Sequence, residues 1–173
     1  HLSLRRQRQM CIRDSNMAIE RGEAFVSPEL LLLALLRSEK DARTFLANAS
    51  IDADKFERTL NNFVSDSHNK VKSTECRGLD QDANRIIRRH DDMVERMAQL
   101  SRGYTPGAVD MLMSIVYEED SYASQLLLDE GLTVGTAIAL YRRHIIEHKK
   151  ETAAPTANQN GNNNQKPPAN SVP

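Results

Sequence analysis

His144, Ile145, Ile146, Glu147 and His148 spell H-x-x-E-H, a spacing that lets one helix face offer two imidazoles to a metal and a carboxylate to its bound water. That chemistry also needs a third protein ligand in a closed, dry site. Here the motif runs into Lys149 and Lys150, and Glu151 is the one later carboxylate. Cations near a helix C-terminus are favoured by the macrodipole, which accounts for both histidines without a metal. Arg88-Arg89-His90-Asp91-Asp92 has the residue types of a charge relay or a phosphate clamp. His90, however, falls on the apolar stripe of a helix, and the spacing predicts a partly buried, hydrogen-bonded histidine among solvated charges. Cys76 stands in a polar connector without a second cysteine nearby and reads as an incidental thiol. Gly131-Leu132-Thr133-Val134-Gly135 lacks the Lys-Ser/Thr of a phosphate loop. No catalytic, metal or cofactor site is expected. Glu29 remains, a carboxylate just after Ser27-Pro28, where a helix N-terminus favours negative charge.

Composition narrows the function classes. The chain has 173 residues, with 23 Lys+Arg against 24 Asp+Glu and a net charge of −1, which excludes a strongly basic nucleic-acid footprint. There is no Trp, and 5% aromatics leave few platforms for stacking bases. The longest apolar run, Leu30–Leu36, is far short of the roughly 20 residues that cross a bilayer. Two cysteines make no disulfide framework and suit a reducing compartment. These readings point to a soluble, cytoplasmic protein that binds neither membrane nor nucleic acid.

Both ends differ from the middle. Residues 151–173 are expected to be a disordered linker: from Thr152 onward the only charge is Lys166, and no aromatic offsets the entropy of ordering. Residues 1–15 carry Arg5, Arg6, Arg8 and Arg13, and RRQRQMCIRDS resembles translated sequencing-adapter read-through. That segment is expected to be non-native. Without it the balance is 19 Lys+Arg to 23 Asp+Glu, mildly acidic.

The elements that must position these residues form an internal repeat with an offset of about 81 residues. Ser27-Pro28 and Thr105-Pro106 each read as a helix start, with a capping hydroxyl and proline at the first helical position. An apolar helix follows each, Leu30–Leu36 and Val109–Val116, then the polar turns Arg37–Asp41 and Glu118–Ser121. A second helix carries Ala42, Phe45 and Leu46 in one copy and Ala123, Leu126 and Leu127 in the other. The last helices bear the stripes Phe56, Leu60, Phe63, Val64 and Val134, Ile138, Tyr141, Ile145, with Ile51 and Phe56 spaced as a hydrophobic staple. The second copy opens with a helix near Asp80–Ser101 whose stripe is Ile86, His90, Met93, Met97 and Leu100. The matching positions of the first copy, Arg5, Gln9, Ile12, Asn16 and Ile19, are mostly polar, so that copy's first helix is expected to be truncated. The expected fold is all-α, two pseudo-symmetric helical repeats. The boundaries are 16–150 for the domain, with 16–64 as repeat 1, 65–78 as connector and 79–150 as repeat 2.

Phe25-Val26-Ser27-Pro28-Glu29-Leu30, the leucine-rich run after it, and Glu118 to Leu127 (EEDSYASQLL) resemble the Clp N-terminal repeat domain of the AAA+ unfoldases, most of all the ClpA subfamily. The resemblance covers Met17 to about Ile146. It implies a docking domain, without catalysis of its own, that receives adaptors and protein substrates for the ATPase rings of an ATP-dependent Clp protease. Those rings would belong to the rest of a longer chaperone-like protein truncated here at both ends, and the ClpP-type protease they feed would be a separate partner. It further implies a recognition surface at Ser27 and Glu29. Relatives that read phosphorylated arginine use such a glutamate in both copies. Here the second copy offers Val109 or Asp110, so a ClpS-like adaptor fits better. The alternatives are the N-domain of a Clp-family disaggregase or other relative and, from another class, a metal-dependent hydrolase built on His144, Glu147 and His148.

Overall fold

The computed structural model describes residues 25–66, 78–100 and 103–153, and these form seven helices and no strand. Repeat 1 contributes α1 (Pro28–Ser38), α2 (Lys40–Asn48) and α3 (Ala53–Asp66). Repeat 2 contributes α4 (Gln81–Leu100), α5 (Ala108–Tyr117), α6 (Tyr122–Asp129) and α7 (Val134–Ala153). The architecture is all-α and two-fold repeated, as the sequence pattern requires. Residues 1–15, the truncated first helix, Cys76 and the linker beyond Ala153 lie outside the described residues.

Local signals set most helix starts. Ser27 caps α1, its Oγ accepting from the Leu30 N–H at 3.2 Å, and Pro28 takes the first helical position. Asp52 receives the N–H groups of Asp54 and Lys55 at the start of α3, and Ile51 and Phe56 are both buried, as a staple requires. Asp80 and Ser121 do the same for α4 and α6, through Ala83 and Ser124.

Four expectations are corrected. Thr105 is not a cap: α5 starts at Ala108, three residues later, and Asp110 folds back to accept from the Gly107 N–H at 2.7 Å. The polar turn after α1 shrinks to Glu39, because α2 already begins at Lys40. α3 continues to Asp66, past the expected end of repeat 1 at residue 64. α7 reaches Ala153, into the segment expected to be linker; Glu151, Thr152 and Ala153 are ordinary helix residues, whereas Pro155 disfavours helix at Ala154 before it.

α1 and α5 are apolar nearly all round, and every residue of Leu30–Leu36 and Val109–Val116 is buried. They touch each other, and the other helices pack around them. Each fully buried leucine contributes about 1.5–3 kcal/mol relative to leaving it in water, so this pair of helices is the chief source of stability. The repeats are joined again where Val26 and Leu79 form an isolated parallel bridge: the Val26 N–H donates to Gly78 at 2.8 Å, and the Asp80 N–H donates to Val26 at 3.0 Å.

Candidate docking surface

The Val26–Leu79 bridge brings the start of α1 against the cap of α4, and this decides what Glu29 does. Its residue is 9% exposed. Burial pushes its carboxyl above the ordinary value, and the carboxylate of Asp80 adds to that; its own N–H, the Ala123 N–H and the Ser27 hydroxyl pull the other way. Asp80 is raised as well, first by its own burial. Glu29 therefore serves a junction where the N-termini of α1, α4 and α6 converge. Its carboxylate is not the solvent-facing charge that a docking role by direct contact requires. Ser27 is spent as a helix cap. The solvent-facing member of the motif is Phe25, 46% exposed.

The counterpart of Glu29 in repeat 2 is Asp110, at the 81-residue offset, whereas Val109 is an apolar core residue. Asp110 is 3% exposed and accepts from the Gly107 N–H, from Tyr141 Oη at 2.5 Å and from Tyr104 Oη. Burial, then the Asp110 carboxylate, pushes both tyrosine hydroxyls well above the ordinary phenol range, so they remain donors. Sequence reasoning missed this pair of tyrosines, because Tyr104 lies outside any periodic stripe.

The remaining chemical candidates separate. His144 and His148 share a face of α7 with ring centroids 4.7 Å apart, as their spacing predicts. Among the described residues, no three His, Cys, Asp or Glu side chains converge to hold a metal ion. His90 is half-buried, as expected, its side chain 12% exposed, but Nδ1 has no hydrogen-bond partner among the described residues and stands 3.6 Å from Asp91 Oδ1. The expected hydrogen bond at that nitrogen is therefore not made. Arg89, from the same run, instead donates to Glu118 at 3.0 Å and to the Ser114 carbonyl at 3.2 Å, tying α4 to α5. The stripe of α4 opens along its length: Ile86 is buried, Met93 half-buried and Leu100 82% exposed.

Depressions open at the surface among the described residues. One of about 490 Å³ follows α4 beside Arg89, Met93, Arg96 and Tyr117. A second, about 280 Å³, lies over the ion pairs of Arg37 with Glu57 and of Arg43 with Glu57 and Asp54. A third, about 50 Å³, lies between α2 and α7. Apolar side chains stand exposed at Phe25, Leu100, Leu128 and Ile146. Open depressions, with apolar groups exposed elsewhere on the surface, suit contact with another protein better than turnover of a small molecule. Among the described residues no helix is long and apolar enough to cross a membrane.

The model of the Clp repeat N-terminal domain matches residues 6–130. A solved structure from preliminary structural investigations of a malarial protein secretion system is similar in fold, with a TM-score of 0.62 and 12% identity. The similarity covers 84% of this chain and 92% of that one. No curated protein matches.

Proposed function

Because the chain belongs to the Clp repeat N-terminal domain family, we propose that it is the adaptor- and substrate-docking domain of a cytoplasmic ClpA-like unfoldase, delivering proteins to ATPase rings and a ClpP-type protease. The match over residues 6–130 carries this reading, and the surface supports it. In this reading residues 16–150 are the docking domain, and the residues after 150 link it to the rings. A ClpS-like adaptor is the proposed partner. Phe25 is the contact, exposed just before the Ser27 cap of α1. An exposed aromatic at the edge of a rigid element is the residue type that anchors protein interfaces.

The test is calorimetry of the full chain with a purified ClpS-like adaptor. Phe25→Ser weakens capture by about tenfold or more, in the range of an anchor residue. Glu29→Gln leaves affinity nearly unchanged, since the residue is largely buried. No binding by the unmodified chain rejects the adaptor. Loss of binding on Glu29→Gln with Phe25→Ser neutral would return the contact to the glutamate.

A further inference from the structure

The two outer junctions between the repeats are equivalent under the 81-residue offset and chemically different. At one, α3 meets α6 through Phe63 and Tyr122, stacked with centroids 3.9 Å and planes 18° apart. The corresponding positions at the other are His144 on α7 and Asp41 on α2. Where rings bridge the first junction, this pair leaves an open notch of about 50 Å³. Asp41, Thr44 and Asn48 line it from α2, and His144 and Glu147 from α7; buried Phe45 and half-buried Leu140 supply its apolar part.

A volume of this size holds a few water-sized groups. Its lining is rich in acceptors: two carboxylates, an amide oxygen and a hydroxyl. Arg143, exposed on α7, is the sole cation of the described lining. Burial, then neighbouring His148, holds His144 below the ordinary imidazole range against the pull of Asp110, Asp41 and Glu147. At neutral pH the imidazole therefore adds no competing charge.

We propose that this notch seats a lysine side chain of a docked protein, its ammonium between Asp41 and Glu147 and its stem along Phe45 and Leu140. The inference rests on the docking reading above and names the chemistry of one partner contact. Lysine fits better than arginine because an ammonium is a compact point charge, whereas a guanidinium is a broad plane.

The test is an amide-resolved NMR titration of the full chain with N-acetyl-lysine methylamide, beside the norleucine analogue. Saturable shifts at Thr44, Asn48 and Glu147 with the lysine compound, and none with norleucine, are expected. Asp41→Asn weakens that binding about tenfold, the loss of roughly one charge-assisted contact. Asp41→Tyr places in the notch the ring that bridges the opposite junction, and removes binding with the far-ultraviolet spectrum unchanged. Equal shifts with norleucine, or undiminished lysine binding in both variants, overturn the proposal. Adaptor capture separates this from the broader reading. Capture that is equal in the unmodified chain and Asp41→Tyr, with no lysine response, sinks the notch and leaves docking intact. A lysine response without any adaptor capture sinks the docking reading and upholds the cation seat.

Discussion

Repeat 1 and repeat 2 each bury a carboxylate at the start of their central apolar helix, and they satisfy it by different means. Glu29 leans on backbone N–H groups, one of them from α6 in the other repeat, and faces the carboxylate of Asp80. Asp110 stays within its own repeat, held by two tyrosine hydroxyls and the Gly107 N–H. Repeat 1 thus uses its carboxylate to join the repeats under mutual repulsion, whereas repeat 2 uses its carboxylate to tie α7 to the start of α5. A position preserved by symmetry is not preserved in its energetics.

The sharpest way to break this contrast is Asp110→Ala. Removing the shared acceptor leaves the Gly107 N–H without its partner and the half-buried hydroxyls of Tyr104 and Tyr141 with only each other, 3.3 Å apart. At about 1–3 kcal/mol for each unsatisfied group, the loss is expected to be about 3 kcal/mol. Urea unfolding should show a lower midpoint at unchanged slope. Phe63→Ala comes next, because it removes a half-buried ring and its stack on Tyr122. A cost of about 2 kcal/mol is expected, and the same substitution at His144, which has no stacked partner across its junction, should cost less.

Glu29→Gln has the opposite sign. The raised carboxyl means that the folded chain binds a proton more readily than the unfolded chain does. Its contribution therefore falls as pH rises from the ordinary value of 4.5 through the raised one, and is least favourable at neutral pH. The amide removes that penalty and the repulsion from Asp80. Thermal unfolding at pH 7 should show a gain of up to about 1 kcal/mol, vanishing in acid. The smallest effect belongs to Glu57→Gln. Burial raises this carboxyl, but the guanidinium groups of Arg43 and Arg37 outweigh it and leave it below the ordinary range. Its stability is present above 4.5 and lost as pH falls through the lower folded value. Substitution should cost about 0.5 kcal/mol at neutral pH, less in high salt, and nothing in strong acid.

The helices were legible because their signals are local. Ser27 with Pro28, Asp52, Asp80 and Ser121 each fix a start within one turn, and the apolar spacing of Leu30–Leu36 and Phe56–Val64 needs only neighbours three or four residues away. Thr105 misled for the same reason: as a local signal it matched Ser27, but Asp110 and two tyrosines placed the cap at Gly107 instead. The repeat was legible as well, since an offset is a property of one chain.

Residue order alone therefore determined seven of this protein's helices in outline, their two-fold repetition and the two that are buried on every side. Which acidic group meets solvent was decided only in three dimensions. Glu29 and Asp41 both lie in the first turn of a helix, and spacing treats them alike. The bridge from Val26 to Leu79 and the approach of Ala123 enclose the first, while the meeting of α2 with α7 leaves the second at the edge of an open notch. Burial of a side chain depends on atoms distant in the chain, and no pattern of neighbouring residues contains them.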